Sequence, residues 1–246
     1  MRKKNIFILV AALLSLTMLT GCGNAAAGQK AKSATTVAIL GDSYSTFEGR
    51  IPEGYACWYY PVTQGNDVSS ADQTWWSRLI AMKGYRLLLN SSYSGATICN
   101  RGYRGDDYSD RSYITRMKTD FIGEDGKFGR AGASPDILLI FGGTNDDWAG
   151  APMGVPTAKK DLPAADMYQC LPAASYMLSY LTEKLPKTRI IVVVNCDLSE
   201  TFTKGIQEVA KMYGVESILL HDIDKQRNHP SVKGMSQIAE QISAIL

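Results

Sequence analysis

The chain has 246 residues, of which 45% are hydrophobic, 9% aromatic and 20% charged. That composition excludes a disordered, collagenous or coiled-coil chain and suits one α/β domain with a large core, or at most two small domains. The formal charge of +2 falls to −1 once Arg2, Lys3 and Lys4 are set aside, so charge gives no case for nucleic acid or an anionic membrane as partner.

Those three basic residues open a targeting signal. Ile6 to Met18 is an apolar stretch interrupted only by Ser15 and Thr17, the pattern of a signal peptide rather than of a fold. It ends in Leu19-Thr20-Gly21-Cys22, which resembles the lipobox of bacterial lipoproteins. The resemblance implies that residues 1–21 are removed and that Cys22 carries lipid on its thiol and its amine. Residues 22–34 are then a small, polar tether, and 35–246 the folded domain. Several acyl chains on one residue would hold the protein at a membrane on the exported side of a bacterial envelope, with no other membrane contact. No later stretch approaches the roughly 20 apolar residues of a spanning helix.

The body alternates strand and helix. Val37–Leu40, Leu87–Leu89, Ile137–Phe141, Ile190–Val194 and Ile218–Leu220 are continuous apolar runs, as expected of strands buried on both faces of a parallel sheet. Helical patterns fall at Ala71–Met82, at Ala164–Leu185 with a break near Pro172, and at Ser199–Tyr213. A last helix follows a Ser231 N-cap, with Val232, Met235, Ile238, Ala239, Ile242 and Ile245 on one face. The alternation predicts a three-layer α/β/α sandwich with a five-stranded parallel sheet. Its ligand site should lie outside the carboxyl ends of the strands.

Asn90 to Pro135 is long for a connection and should hold structure of its own, including a short helix near Ser112–Lys118. Tyr55 to Tyr60, Trp75 and Trp76 concentrate aromatic rings near the first strand. Such rings suit either sugar binding or the covering of a core. Of the four cysteines after Cys22, Cys57 and Cys99 could pair in an exported protein, while Cys170 and Cys196 read as buried thiols.

The chemistry gathers at strand ends. Gly41-Asp42-Ser43 follows the first strand, and a hydroxyl there is a weak nucleophile until a base takes its proton. The chain has two histidines, His221 and His229. His229 stands directly before the last helix, whereas His221 reads as a structural residue at a strand end. Gly142-Gly143-Thr144-Asn145-Asp146 follows the third strand, where the Asn145 amide can face a developing oxyanion. Gly95 follows the second and offers a backbone N–H. There is no G-x-S-x-G, H-E-x-x-H, Walker A loop, G-x-G-x-x-G or C-x-x-C.

In order and spacing these blocks resemble the SGNH hydrolases, also called GDSL esterases, from about Thr35 to Leu246. The resemblance implies a flavodoxin-like fold, a Ser43 nucleophile and a His229 general base. It also implies an oxyanion hole of the Ser43 and Gly95 N–H groups and the Asn145 side chain, with no cofactor and no metal. The family's fourth block is Asp-x-x-His, and here Gln226 stands where that Asp should be. Either a backbone carbonyl orients the ring in a Ser-His dyad, or Asp224 folds back as the acid. The expected activity is that of a serine esterase on small-molecule or glycan esters, with O-acetyl groups on carbohydrate the first choice. A lipase or lysophospholipase, or a glycan-binding lipoprotein on a decayed hydrolase scaffold, are the alternatives.

Overall fold

The computed structural model describes residues 33–158 and 162–246. The expected signal peptide, Cys22 and nearly all of the expected tether lie outside the described residues. From Ala34 to Leu246 the chain forms one compact unit.

Five parallel strands form the sheet. They are β1 (Thr36–Gly41), β2 (Arg86–Ser92), β3 (Ile137–Phe141), β4 (Arg189–Val194) and β5 (Glu216–Leu219), in spatial order β2-β1-β3-β4-β5. Every apolar run expected to be a strand overlaps one, but the expectation of burial on both faces fails at the edge strand β5, which ends at Leu219 and is largely exposed. Alternate residues of each strand face opposite layers. Ala38, Leu40, Leu138, Ile140, Val192 and Val194 pack on one side against α2 (Tyr113–Arg116), α4 (Cys170–Lys184) and α5 (Glu200–Met212). Val37, Ile39, Leu139, Phe141, Ile191 and Val193 pack on the other against α1 (Trp75–Lys83) and α6 (Val232–Ser243). Each fully buried aliphatic side chain contributes about 1.5–3 kcal/mol, so the two cores fix the strand order and hence where the strand ends meet. A short helix α3 (Thr144–Trp148) and a two-residue ribbon of β6 (Lys225–Gln226) and β7 (His229–Pro230) complete the fold.

Three further expectations need correction. The predicted helix 164–185 breaks at Gln169, not at Pro172, with a 3₁₀ turn at Ala164–Tyr168 before α4. Pro172 is the third residue of α4, where its missing N–H costs no helical bond. The Cys170 and Leu171 N–H groups instead donate to the Pro152 and Met153 carbonyls, both at 2.8 Å. The helix expected from Ala71 begins at Trp75, and residues 71–73 are a 3₁₀ turn. Cys57 and Cys99 are both free thiols. Each donates to a carbonyl instead, Cys57 to Tyr59 at 3.1 Å and Cys99 to Arg101 at 3.7 Å.

Candidate active site

Ser43 opens a single 3₁₀ turn directly after β1. Asp42 caps that turn, its Oδ1 accepting the Tyr44 N–H at 3.0 Å. The other Asp42 oxygen is buried with no hydrogen-bond partner among the described residues. Burial pushes the Asp42 carboxyl up to about 7. Two indoles brace the turn: Trp75 Nε1 donates to Ser45 Oγ at 3.1 Å and Trp76 Nε1 to the Ser45 carbonyl at 3.0 Å. The rings at Tyr59, Trp75 and Trp76 are therefore buried scaffold, and of the cluster only Tyr60 is well exposed.

His229 arrives on the β6–β7 ribbon. Gln226 pairs with His229 across it, and Arg227 and Asn228 form the tight turn with φ of 50° and 62°. Both turn residues in the left-handed region is the pattern of a two-residue hairpin loop. Three side chains fix the ribbon from outside. Tyr44 donates to the Asn228 carbonyl at 2.6 Å, Tyr59 to the Pro230 carbonyl at 2.8 Å, and Asn66 Nδ2 to the Gln226 and Pro230 carbonyls at 3.3 and 3.2 Å.

This brings His229 Nε2 to 2.9 Å from Ser43 Oγ. The other ring nitrogen, Nδ1, lies 3.1 Å from the Arg227 carbonyl. A carbonyl can only accept, so Nδ1 carries the proton and Nε2 is left to accept from the serine. Among the described residues no carboxylate lies within 4.0 Å of a His229 nitrogen; the one His–carboxylate pair is His221 with Asp222, both exposed and apart from the site. Asp224 does not reach the ring. Its carboxylate accepts from the Ser231 hydroxyl and its backbone carbonyl accepts the Ser231 N–H at 3.1 Å. Gly234 permits this, since a Cβ there would stand 2.0 Å from the Asp224 carbonyl oxygen. Gln226 accepts the Asp67 N–H at 2.8 Å through Oε1.

Trp58 lies flat against the imidazole. Burial pushes His229 down to about 4; the Arg227 carbonyl opposes the shift, and the charges of Lys225 and Arg227 add to it. The ring is therefore neutral at pH 7 and able to accept a proton.

The candidate oxyanion donors other than Ser43 come from the loops after β2 and β3. Gly95 has φ +83°, a conformation that a residue with a Cβ rarely adopts. Neither its N–H nor that of Ser43 has an acceptor among the described residues. Asn145 is the second residue of α3, with Nδ2 donating to the Ala96 carbonyl at 3.0 Å. One further Nδ2 hydrogen remains. Next to it the buried Asp146 accepts the Ile98 and Cys99 N–H groups at 2.8 and 3.2 Å, and burial raises its pKa to about 6 against those bonds. Residues 145 and 146 thus clamp the loop that carries Gly95.

One residue that the sequence did not single out supports this edge. Arg116 is fully buried, donating to the Gly41 carbonyl at 2.9 Å, to the Arg111 carbonyl at 2.8 Å, and to both the carbonyl and the hydroxyl of Ser91. Its guanidinium ties the ends of β1 and β2 together. The signal was weak, a single Arg in a short helix of a long loop. Among the described residues no group of three His, Cys, Asp or Glu side chains is placed to hold a metal ion.

The family model of GDSL-like lipase/acylhydrolases matches residues 35–246. Two solved structures are similar over nearly their whole length. One is a Bacteroides ovatus protein provisionally named a GDSL-like lipase, 44% identical, covering 87% of this chain and 98% of its own, with a TM-score of 0.79. The other, from Bacteroides uniformis and named likewise, is 45% identical, covers 87% and 95%, and has the same TM-score of 0.79. A family two carbohydrate esterase from Clostridium thermocellum, solved with cellohexaose, shares the fold at 15% identity, with coverage of 86% and 63% and a TM-score of 0.59. No match is found among curated proteins.

Proposed function

Given that the chain belongs to the GDSL-like lipase/acylhydrolase family, we propose that it is a serine esterase working through a Ser43–His229 dyad. The observation that carries this is the 2.9 Å contact of His229 Nε2 with Ser43 Oγ. Ser43 Oγ attacks the ester carbonyl as Nε2 takes its proton. The new oxyanion is met by the Ser43 and Gly95 N–H groups and the free Asn145 Nδ2 hydrogen. The imidazolium returns the proton to the departing alcohol, leaving an acyl-serine. Water, deprotonated by the same nitrogen, releases the acid. Throughout, the Arg227 carbonyl accepts from Nδ1 and keeps the ring in its working tautomer. That is the orienting part of the acid's usual role, without its full negative charge.

The finer reading is an acyl group, acetyl first, on carbohydrate. Exposed Tyr60 and the partly exposed Tyr93, Tyr103 and Tyr108 offer flat faces suited to sugar rings. We place the protein on the exported side of a bacterial envelope, held by lipid on Cys22.

The test is a fluorophosphonate probe together with hydrolysis of nitrophenyl acetate, longer acyl esters and acetylated glycans. The probe should label Ser43 alone, and Ser43→Ala should lose both labelling and turnover while keeping its fold. Labelling at another residue, or full turnover by the Ala variant, would overturn the assignment.

A further inference from the structure

The Asn145 side chain makes two hydrogen bonds, and the second has no part in the mechanism so far. Its Oδ1 accepts the Tyr103 hydroxyl at 2.9 Å. Tyr103 comes from the long connection after β2 and opens a tight turn at Tyr103–Gly105. That turn is closed by backbone bonds on both sides: Gly102 N–H to the Asp106 carbonyl at 2.9 Å, and Asp106 N–H to the Tyr103 carbonyl at 3.1 Å. Arg104 within it holds φ +58°, an unfavourable conformation for an Arg. The ring is partly exposed, so burial of apolar surface alone does not account for its placement.

An amide can face either way, and only one orientation serves an oxyanion. The Ala96 carbonyl can only accept, so it requires Nδ2 toward the loop; Oδ1 then faces Tyr103, whose hydroxyl donates to it and holds that edge of the amide in place. The bond to Oδ1 also draws density toward the amide oxygen, which leaves the free N–H a stronger donor. We propose that Tyr103 is a positioning residue of the oxyanion hole, one that holds and polarises the Asn145 amide through its hydroxyl. The inference rests on the esterase reading above. The Tyr103 hydroxyl is engaged with Asn145 Oδ1, so on a substrate without a sugar the effect of removing it passes through Asn145.

The experiment is a double-mutant cycle on nitrophenyl acetate with Tyr103→Phe, Asn145→Ala and the pair. Loss of one oxyanion donor costs about 10²–10³-fold in kcat, so Asn145→Ala should fall in that range. Tyr103→Phe removes one oxygen atom and should lower kcat by about three- to eightfold with KM unchanged, as expected if the lost bond accounts for a modest fraction of the amide's strength. In the Asn145→Ala background the same change should have no effect. The acid limb of the pH profile should not move, because it belongs to His229. An equal loss in both backgrounds, a rise in KM alone, or a displaced acid limb would each overturn the proposal, and so would full activity in Tyr103→Phe. A wild-type chain that takes no fluorophosphonate at Ser43 overturns the esterase reading itself, and this inference with it.

Discussion

The Trp58 indole stacks on the His229 ring with 3.7 Å between centroids and 9° between planes. A base is thus covered on one face by an apolar surface and steadied at Nδ1 by a carbonyl. Desolvation disfavours the charged ring, and among the described residues no carboxylate is at hand to offset it. The site keeps the His229 ring neutral rather than highly basic.

The pH dependence follows. His229 is lowered from an ordinary 6.5 to about 4, so kcat/KM should hold its plateau through pH 5 to 6 and fall only as the pH drops toward 4. Trp58→Ala opens the ring to water and should move that acid limb upward, toward 6.5, with a lower kcat from the loosened ring. An unshifted limb in the variant would show that the indole does not set the pKa.

The stability sign is equally specific for this group. The unfolded histidine binds its proton below about 6.5, the folded one only below about 4. The unfolded state therefore holds more protons between these values, and the His229 contribution to stability is lost as the pH falls through that window. In His229→Gln this part of the pH dependence should vanish, which thermal melts from pH 4 to 7 would read.

Asp224 should behave as a structural residue. Asn keeps an acceptor for the Ser231 hydroxyl, so Asp224→Asn should change kcat/KM by less than about tenfold. Asp224→Ala loses that bond and should cost about 0.5–1.5 kcal/mol in stability, again with little effect on turnover. A fall of several powers of ten in the Asn variant would return Asp224 to the role of catalytic acid.

What was legible in the sequence and what was not divides along physical lines. β1, β3 and β4 are buried on both faces, so apolar runs mark them almost to the residue. β2 runs three residues beyond Leu89 because Asn90, Ser91 and Ser92 are buried with their hydrogen bonds made. Asn90 Nδ2 donates to the Ser45 carbonyl at 2.8 Å, Ser92 Oγ to Asn90 at 2.6 Å, and Ser91 Oγ to Asp120 at 2.6 Å. Periodicity does not see satisfied polar groups. Ser43, His229 and Asn145 could be read as candidates because each is a side chain of distinctive type at a strand end or before a helix. A backbone carbonyl at His229 Nδ1 was one of two options, but that it is the carbonyl of Arg227 could not be read, since a backbone carbonyl has no residue type and Arg227 is not a residue that announces a left-handed turn. Trp58 was visible only as one ring among several, because which ring stacks on the base depends on a ribbon far away in sequence.

The proposed anchor is tested on the intact chain. Cys22→Ser should remove the lipid and move the protein from the membrane fraction to the soluble fraction, with esterase activity retained. A wild-type protein that is soluble and unlipidated would rule out the lipobox.

The last prediction concerns the departure from the family pattern. Gln226 and His229 stand opposite each other in an antiparallel pair, so their side chains leave the same face with Cβ atoms about 4.5–5.5 Å apart. Gln226 is turned to Asp67, a structural task that the longer amide performs. Gln226→Asp places a shorter, charged group beside the ring. A carboxylate within roughly 4–6 Å favours the imidazolium, so the acid limb should rise from near 4 and kcat should increase. The gain should stay well short of the roughly 10⁴-fold that an orienting carboxylate is worth in a complete triad, because the Arg227 carbonyl already holds the tautomer. Losing the Asp67 bond should lower stability by about 1 kcal/mol. A raised limb with a faster kcat and a lower Tm would show that position 226 can still serve the base. A lower Tm with both kinetic quantities unchanged would show that the ribbon of this chain has closed the position to catalysis, leaving Gln226 as an anchor only.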